Sequence, residues 1–308
     1  MNYFLLVIRA VSPNVHKNIF GMSEDVAQIL IPTITTILVF IVGQIIIWFR
    51  NQNKKYNEVK NYQNVILSWI DLIQTPVMQQ VQLCRDFAVR MASSSSIQPE
   101  RFSVKKMLAN KLNTISVERY IYTFMINTKN PKGENDKMIF NLISQVDFLA
   151  SIESDIVKKY KEYHNQILEL MNEWNSTFNL LKKTVDDWSK PPITEFRQPV
   201  IDFCRKSLES NPPQQDTLSI MNNLIIPLEK LVSQNSYNED SFQLKPIFNQ
   251  LEIIVYKWDV NKKGNSQNFN DIAKSIESSY RILHKAKEYF AIENKRCKIF
   301  WFFRKIVL

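Results

Sequence analysis

Between Val26 and Phe49 the sequence reads VAQILIPTITTILVFIVGQIIIWF, 24 residues without a charged side chain. A helix of that length extends about 36 Å at 1.5 Å per residue, enough to cross the roughly 30 Å hydrocarbon core of a bilayer. Hydrocarbon offers no partners for backbone N–H and C=O groups, so a single crossing has to be helical. A buried core helix rarely runs so far without charge. The segment therefore predicts a transmembrane helix at 26–49, with a short tail at 1–25 and a large domain at 50–308.

The flanks predict the orientation. Glu24 and Asp25 precede the segment, whereas Arg50, Lys54, Lys55 and Lys60 follow it. Basic residues favour the cytoplasmic side, which places the large domain there and the N-terminus outside. Trp48 stands where an interfacial aromatic anchor belongs. The tail carries only Arg9 and Lys17, which weaken the bias without reversing it. Its first ten residues, MNYFLLVIRA, hold too short an apolar run for a signal peptide, and the cation follows that run. Met22 stands directly before the segment, and translation starting there would remove both tail cations.

Within the span, Thr33, Thr36, Phe40 and Gly43 share one helical face, with Gln44 beside it. Small and hydroxylated residues let membrane helices approach and bond across the contact, so this face is a candidate for self-association. The alternative is local: each Thr bonds to its own helix and helps it tolerate Pro32.

The rest of the chain reads as all-α. It has only four glycines in 308 residues, too few for the tight turns of a nucleotide-binding α/β sheet or a β-sandwich. From 136 to 190 there is neither Gly nor Pro. Apolar or aromatic residues recur at Ile139, Leu142, Val146, Leu149, Ile152, Ile156, Tyr160, Tyr163, Ile167, Leu170, Trp174, Phe178, Leu181, Val185 and Trp188. Their mean spacing of about 3.5 predicts one long, coiled-coil-like helix that Pro191 and Pro192 terminate. The span is expected to continue as a stalk to Thr75, with Pro76 opening a second helix that ends near Ser93. A further helix is expected from Pro99 to Asn127, broken near Asn113. Loops are expected at Thr128–Asn135 and Asn261–Asn268, with breaks or kinks at Pro199, Pro212, Pro213, Pro227 and Pro246. The last helix should begin near Phe269.

That helix ends in a second membrane candidate. Lys295, Arg296, Lys298, Arg304 and Lys305 bracket Ile299, Phe300, Trp301, Phe302 and Phe303, a run too short to span. Cations beside Trp and Phe suit the headgroup region of an anionic leaflet. Lys298, Trp301, Phe302, Arg304 and Lys305 are the interfacial candidates at this end, as Trp48, Arg50, Lys54 and Lys55 are at the other. The net charge of +9 fits an anionic membrane face better than nucleic acid, since no dense basic helix face precedes the tail.

Catalytic and metal chemistry finds no motif. Cys84, Cys204 and Cys297 form no CxxC pair and no disulfide framework, which suits a reducing compartment. His16, His164 and His284 lack the close ligand spacing of a zinc site. His284 and Glu288 lie one turn apart, but two ligands do not make a site. Helical ribonucleases of the HEPN type place an Arg and a His four to six residues apart, whereas only two residues separate Arg281 and His284. No phosphate loop, GxSxG, HExxH or EF-hand pattern occurs, and no cofactor is implied. The leading expectation is a single-pass membrane-anchored scaffold that binds a cytoplasmic protein. The alternatives are an oligomeric pore-forming effector of a bacterial defence system and a membrane-tethered enzyme with an unrecognised site. The Asn-, Lys- and Ile-rich composition associates the chain with an AT-rich genome and a bacterial inner membrane.

Overall fold

The computed structural model describes residues 24–125, 132–209, 216–234 and 239–306; the side chains of 24–28, 132, 208–209 and 292–306 fall outside that description. The elements are α1 (Glu24–Ser93), α2 (Asn110–Asn113), α3 (Val117–Met125), α4 (Lys132–Trp188), α5 (Arg197–Glu209) and α6 (Thr217–Ile220). A π-helical turn (Met221–Ile225), α7 (Ile226–Gln234) and α8 (Glu239–Ile306) follow. Among the described residues there is no β-strand, only an isolated bridge between Ser96 and Asp216. The fold is all-α, as the scarcity of glycine and the long apolar periodicities imply. The chain divides into two compact units, Met1–Asn64 and Val65–Leu308, and the division falls inside α1.

Three long helices make the core of the second unit. On α1, Ile66, Ile70, Ile73, Val77, Val81, Cys84 and Met91 recur every three or four residues and are all buried. That spacing gives one buried apolar stripe along this part of the helix. On α4, every residue of the 139–188 series is buried except Tyr160, which is half-buried. The long helix therefore spends its seam inside its own chain, chiefly against α8. Lys257 of α8 pairs with Glu173 of α4 at 3.4 Å, and the Trp174 and Trp258 rings lie 5.7 Å apart. Toward the other end Tyr289 bonds to Asn135, so α4 and α8 run antiparallel. Residues of α1 from Val65 onward also oppose α8: Asp71 pairs with Lys287, Arg85 with Glu277, and the Ser266 hydroxyl donates to the Ala88 carbonyl at 2.8 Å.

These parallel neighbours, α1 and α4, require a crossover, which residues 94–131 supply. Helix was expected from Pro99 onward, but residues 99–108 are non-helical. Long-range side-chain bonds hold them that way: the Lys105 N–H donates to Gln80 Oε1 at 2.7 Å and the Glu100 N–H to the Tyr163 hydroxyl at 3.2 Å. Phe102 joins Phe87, Tyr160 and Phe269 in an aromatic cluster, with its ring 4.7 Å from that of Phe87. Leu108 turns the chain at φ 62° just before α2.

Several expected breaks are absent. Pro76 does not open a new helix, because α1 passes through it to Ser93. An interior proline costs roughly 3 kcal/mol, but fully buried Ile73 and Val77 on either side fix the helix against the core. The loop expected at Asn261–Asn268 is also helix, and α8 begins at Glu239 rather than near Phe269, running through Pro246 and Gly264. Neighbouring groups hold this polar stretch in place. Asn265 donates to the Asn261 carbonyl at 2.9 Å, Asn261 donates to Gln166 of α4, and the Lys262 ammonium donates to the Ser94 and Ser96 carbonyls. Lys262 thus supplies donors for carbonyls left open where α1 ends, a C-cap delivered from another helix. Pro199 sits in the first turn of α5, where its missing N–H matters little. Pro227 follows the π-helical turn directly, and that turn absorbs the disruption. Of the loop expected at Thr128–Asn135, Lys132–Asn135 is the first turn of α4. Residues 128–131, like Pro212 and Pro213, lie outside the described residues.

Where α1 stops, α5 to α7 take over as neighbours of α4 and α8. Arg197 clamps Asp240 with two hydrogen bonds, at 2.9 and 2.8 Å, which joins the start of α5 to the start of α8. The Thr217 N–H donates to the Ser95 carbonyl at 2.8 Å, fixing the start of α6 beside the end of α1.

Candidate membrane segment and other candidate sites

Among the described residues one helix, α1, is long and apolar enough to cross a membrane, and its apolar stretch lies in the first unit. From Ile29 to Phe49 every large apolar side chain is exposed, from 36 % at Leu30 to 73 % at Ile29. A core helix would bury one side, and this stretch buries none. The Thr33 and Thr36 hydroxyls donate to the Ile29 and Pro32 carbonyls at 2.7 and 2.8 Å, and Thr35 bonds in the same way to Ile31. The threonines thus satisfy their own donors on the helix, while each hydroxyl oxygen keeps acceptor capacity. A methyl group built on Gly43 meets no atom within 4 Å, so nothing in this chain requires glycine there. Gln44, one residue on, is exposed.

At the end of the apolar stretch the Trp48 and Phe49 rings meet edge to face, with centroids 5.0 Å apart. Arg50, Lys54 and Lys55 follow on the same helix, all exposed. The aromatic-then-basic order along one continuous helix is what an interface between hydrocarbon and an anionic headgroup layer accommodates. Of the second candidate, residues 298–305, the backbone is helical to Ile306. The side chains of Lys298, Trp301, Phe302, Arg304 and Lys305 lie outside the described residues.

The groups weighed for chemistry are dispersed. Cys84 and Cys204 are buried; burial raises both thiols, that of Cys204 to about 12, which leaves neither a thiolate near neutral pH. His164 is half-buried beside Tyr160 and its Nδ1 has no hydrogen-bond partner. His284 Nδ1 lies 3.6 Å from Glu288, and Arg281 is taken up by Glu277 at 2.6 Å rather than converging with His284. Among the described residues no three His, Cys, Asp or Glu side chains gather as a metal site would need. His16 and Cys297 lie outside them.

Sequence reasoning missed Lys262, buried at 3 % exposure, whose desolvation lowers its pKa. It also missed the outer face of α8 between Phe242 and Val260, because a loop was expected directly after it. Comparisons of this chain with protein families, with curated proteins and with solved structures found no match.

Proposed function

We propose that this chain is a single-pass membrane-anchored scaffold whose helical bundle presents surfaces to other proteins. The carrying observation is the uniform exposure of fifteen large apolar side chains from Ile29 to Phe49. Burying one such side chain is worth about 1.5–3 kcal/mol, so the stretch in water would forgo tens of kcal/mol. Hydrocarbon removes that cost on all sides of the helix at once. The three intrahelical threonine bonds leave it without an unsatisfied hydroxyl donor.

On this reading the bundle lies in the cytoplasm, with Arg50, Lys54 and Lys55 against the anionic leaflet and the N-terminus outside. The basic-aromatic end at Lys298–Lys305 touches the same leaflet. The bundle itself consists of side chains locked into a core, with surface left for a protein partner, and that favours a scaffold over an enzyme. Cysteine labelling in intact cells tests the topology. A cysteine at Lys55 is expected to stay protected from an impermeant maleimide while one at Ser23 reacts. The reverse pattern overturns the cytoplasmic assignment, and extraction of the protein by alkaline carbonate overturns the anchor itself.

A further inference from the structure

Between Phe242 and Val260, α8 is apolar on two opposite faces. Leu244, Leu251 and Trp258 are fully buried and face the bundle. On the other side Phe242, Pro246, Asn249, Ile253, Tyr256 and Val260 are all exposed, with Tyr256 at 69 % and Ile253 at 46 %. A helix that is apolar on opposite faces is normally enclosed, and here one face is left open. The steps along that face are 4, 3, 4, 3 and 4 residues. This is the alternation of a coiled-coil seam rather than of scattered surface residues.

We propose that a second copy of this chain docks on this face, helix against helix and in parallel. The residues flanking the seam select both the occupant and its direction. In a parallel pair a residue preceding the seam meets the residue five positions further along the other helix. Glu252 then meets Lys257 of the second copy, and the two-fold axis repeats the pair. In the antiparallel pair that sets Ile253 against Tyr256, Glu252 would instead face Asp259 of the second copy, like charge against like. Glu252 makes no ion pair among the described residues. Lys257 holds Glu173 of its own chain at 3.4 Å with both side chains about half exposed, and its ammonium keeps donors to spare. Ile253 and Val260 occupy the seam positions at which β-branched residues favour two-stranded pairing.

The direction also rests on the anchored reading, because two copies inserted with one topology present α8 in the same sense. A seam of fewer than three heptads is short for association in free solution. Confinement to one bilayer raises the effective concentration that brings the copies together.

Disulfide trapping in the full-length protein tests this. In a Cys297→Ser background, leaving the buried Cys84 and Cys204 in place, Tyr256→Cys and Val260→Cys are each expected to give a disulfide-linked dimer on mild oxidation in membranes. Lys161→Cys, exposed on α4, is expected to give little. Adding Glu252→Lys should lose most of the Tyr256→Cys dimer, Lys257→Glu should do the same, and the two together should restore it. Dimer that increases with Glu252→Lys, or that forms mainly between Ile253→Cys and Tyr256→Cys chains, means antiparallel docking and overturns the proposal. Absence of dimer from Tyr256→Cys and Val260→Cys in protein with an unchanged melting temperature overturns it as well. Repeating the trapping in detergent at increasing protein concentration separates the two readings. Parallel dimer there upholds the surface even if the anchor fails, and a parallel dimer lost in detergent at every concentration overturns the claim that the seam itself binds.

Discussion

Two stretches of α1 distribute their apolar side chains differently. From Ile29 to Phe49 the apolar residues follow no helical period and cover the whole circumference, all exposed. From Val65 to Ser93 the buried ones form one stripe, with Ile66, Ile70, Ile73, Val77 and Val81 at or near zero exposure and Leu67 and Trp69 packed beside it, while Val65, Leu72, Met78 and Val89 stay exposed among polar residues. The opposite face there carries Asp71, Gln74, Gln82, Arg85 and Asp86. A helix needs a polar side only where water reaches it. The first stretch has none, and it borders the sequence Trp48–Lys55, where a polar side reappears. The difference teaches that one continuous helix can be specified for two media by the angular distribution of its side chains, with no break in the backbone.

Breaking the first stretch should have the largest effect and should leave the bundle intact. Val39→Arg combined with Val42→Asp places two charges mid-span, where each costs on the order of 2.5–3.5 kcal/mol on insertion scales. The expected outcome is full-length protein that no longer sediments with membranes yet keeps the thermal transition of its bundle. Loss of that transition along with the membrane would mean that the apolar stretch is part of the folded core.

Breaking the second stretch should do the converse. Phe87 is fully buried, and its ring has those of Phe102 and Phe269 at 4.7 Å and those of Tyr163 and Tyr160 at 5.8 and 5.9 Å. Three chain segments therefore meet on this one side chain: α1 with α8, α4 and the crossover. Phe87→Ala is expected to destabilise by about 3–5 kcal/mol through lost burial and the cavity left behind. At roughly 2–4 °C per kcal/mol for a domain of this size, the melting temperature should fall by about 6–20 °C, with membrane retention unchanged. Phe40→Ala, at an exposed position in the first stretch, should leave that temperature where it was.

The same contrast explains what could be read from the residues alone. The long apolar helix was legible because a charge-free run has few readings, and α4 was legible because its period holds from Ile139 to Trp188 with no breaker. Pro76 and the Asn261–Asn268 segment misled because a local rule was applied where tertiary contacts decide. Nothing near Lys262 in sequence reveals that its ammonium lies against the Ser94 and Ser96 carbonyls, or that Ser266 reaches Ala88. Those bonds join positions more than 160 residues apart. The outer seam of α8 was hidden by the same error. With residues 261–268 read as a loop, Phe242–Val260 is a short helix broken at Pro246, and its second apolar face has no long helix to belong to.

The smallest effects come from two glycines, and they sharpen the comparison most finely. Gly264 is exposed on α8 and Gly43 lies in the apolar stretch of α1, and a methyl group built on either meets no atom within 4 Å. At Gly264 the helix is exposed to water, and alanine should stabilise it by about 0.5–1 kcal/mol by restricting the unfolded chain and adding helix propensity. Gly264→Ala is accordingly expected to raise the melting temperature of the bundle by ~2 °C. A fall instead would return Asn261–Asn268 to the loop that its composition suggests, because alanine is costly where a turn needs positive φ. Gly43→Ala should leave that temperature unchanged, since the stretch around it does not unfold with the bundle. Its signature lies in association: if Thr33, Thr36 and Gly43 form a contact between spans, a larger side chain at Gly43 holds the helices apart. Replacing Gly43 and Gln44 with leucine should then weaken self-association in detergent, measured by mass, while the Tyr256→Cys disulfide still forms in membranes. Loss of both together would mean that the spans, rather than the seam on α8, bring the two copies into register.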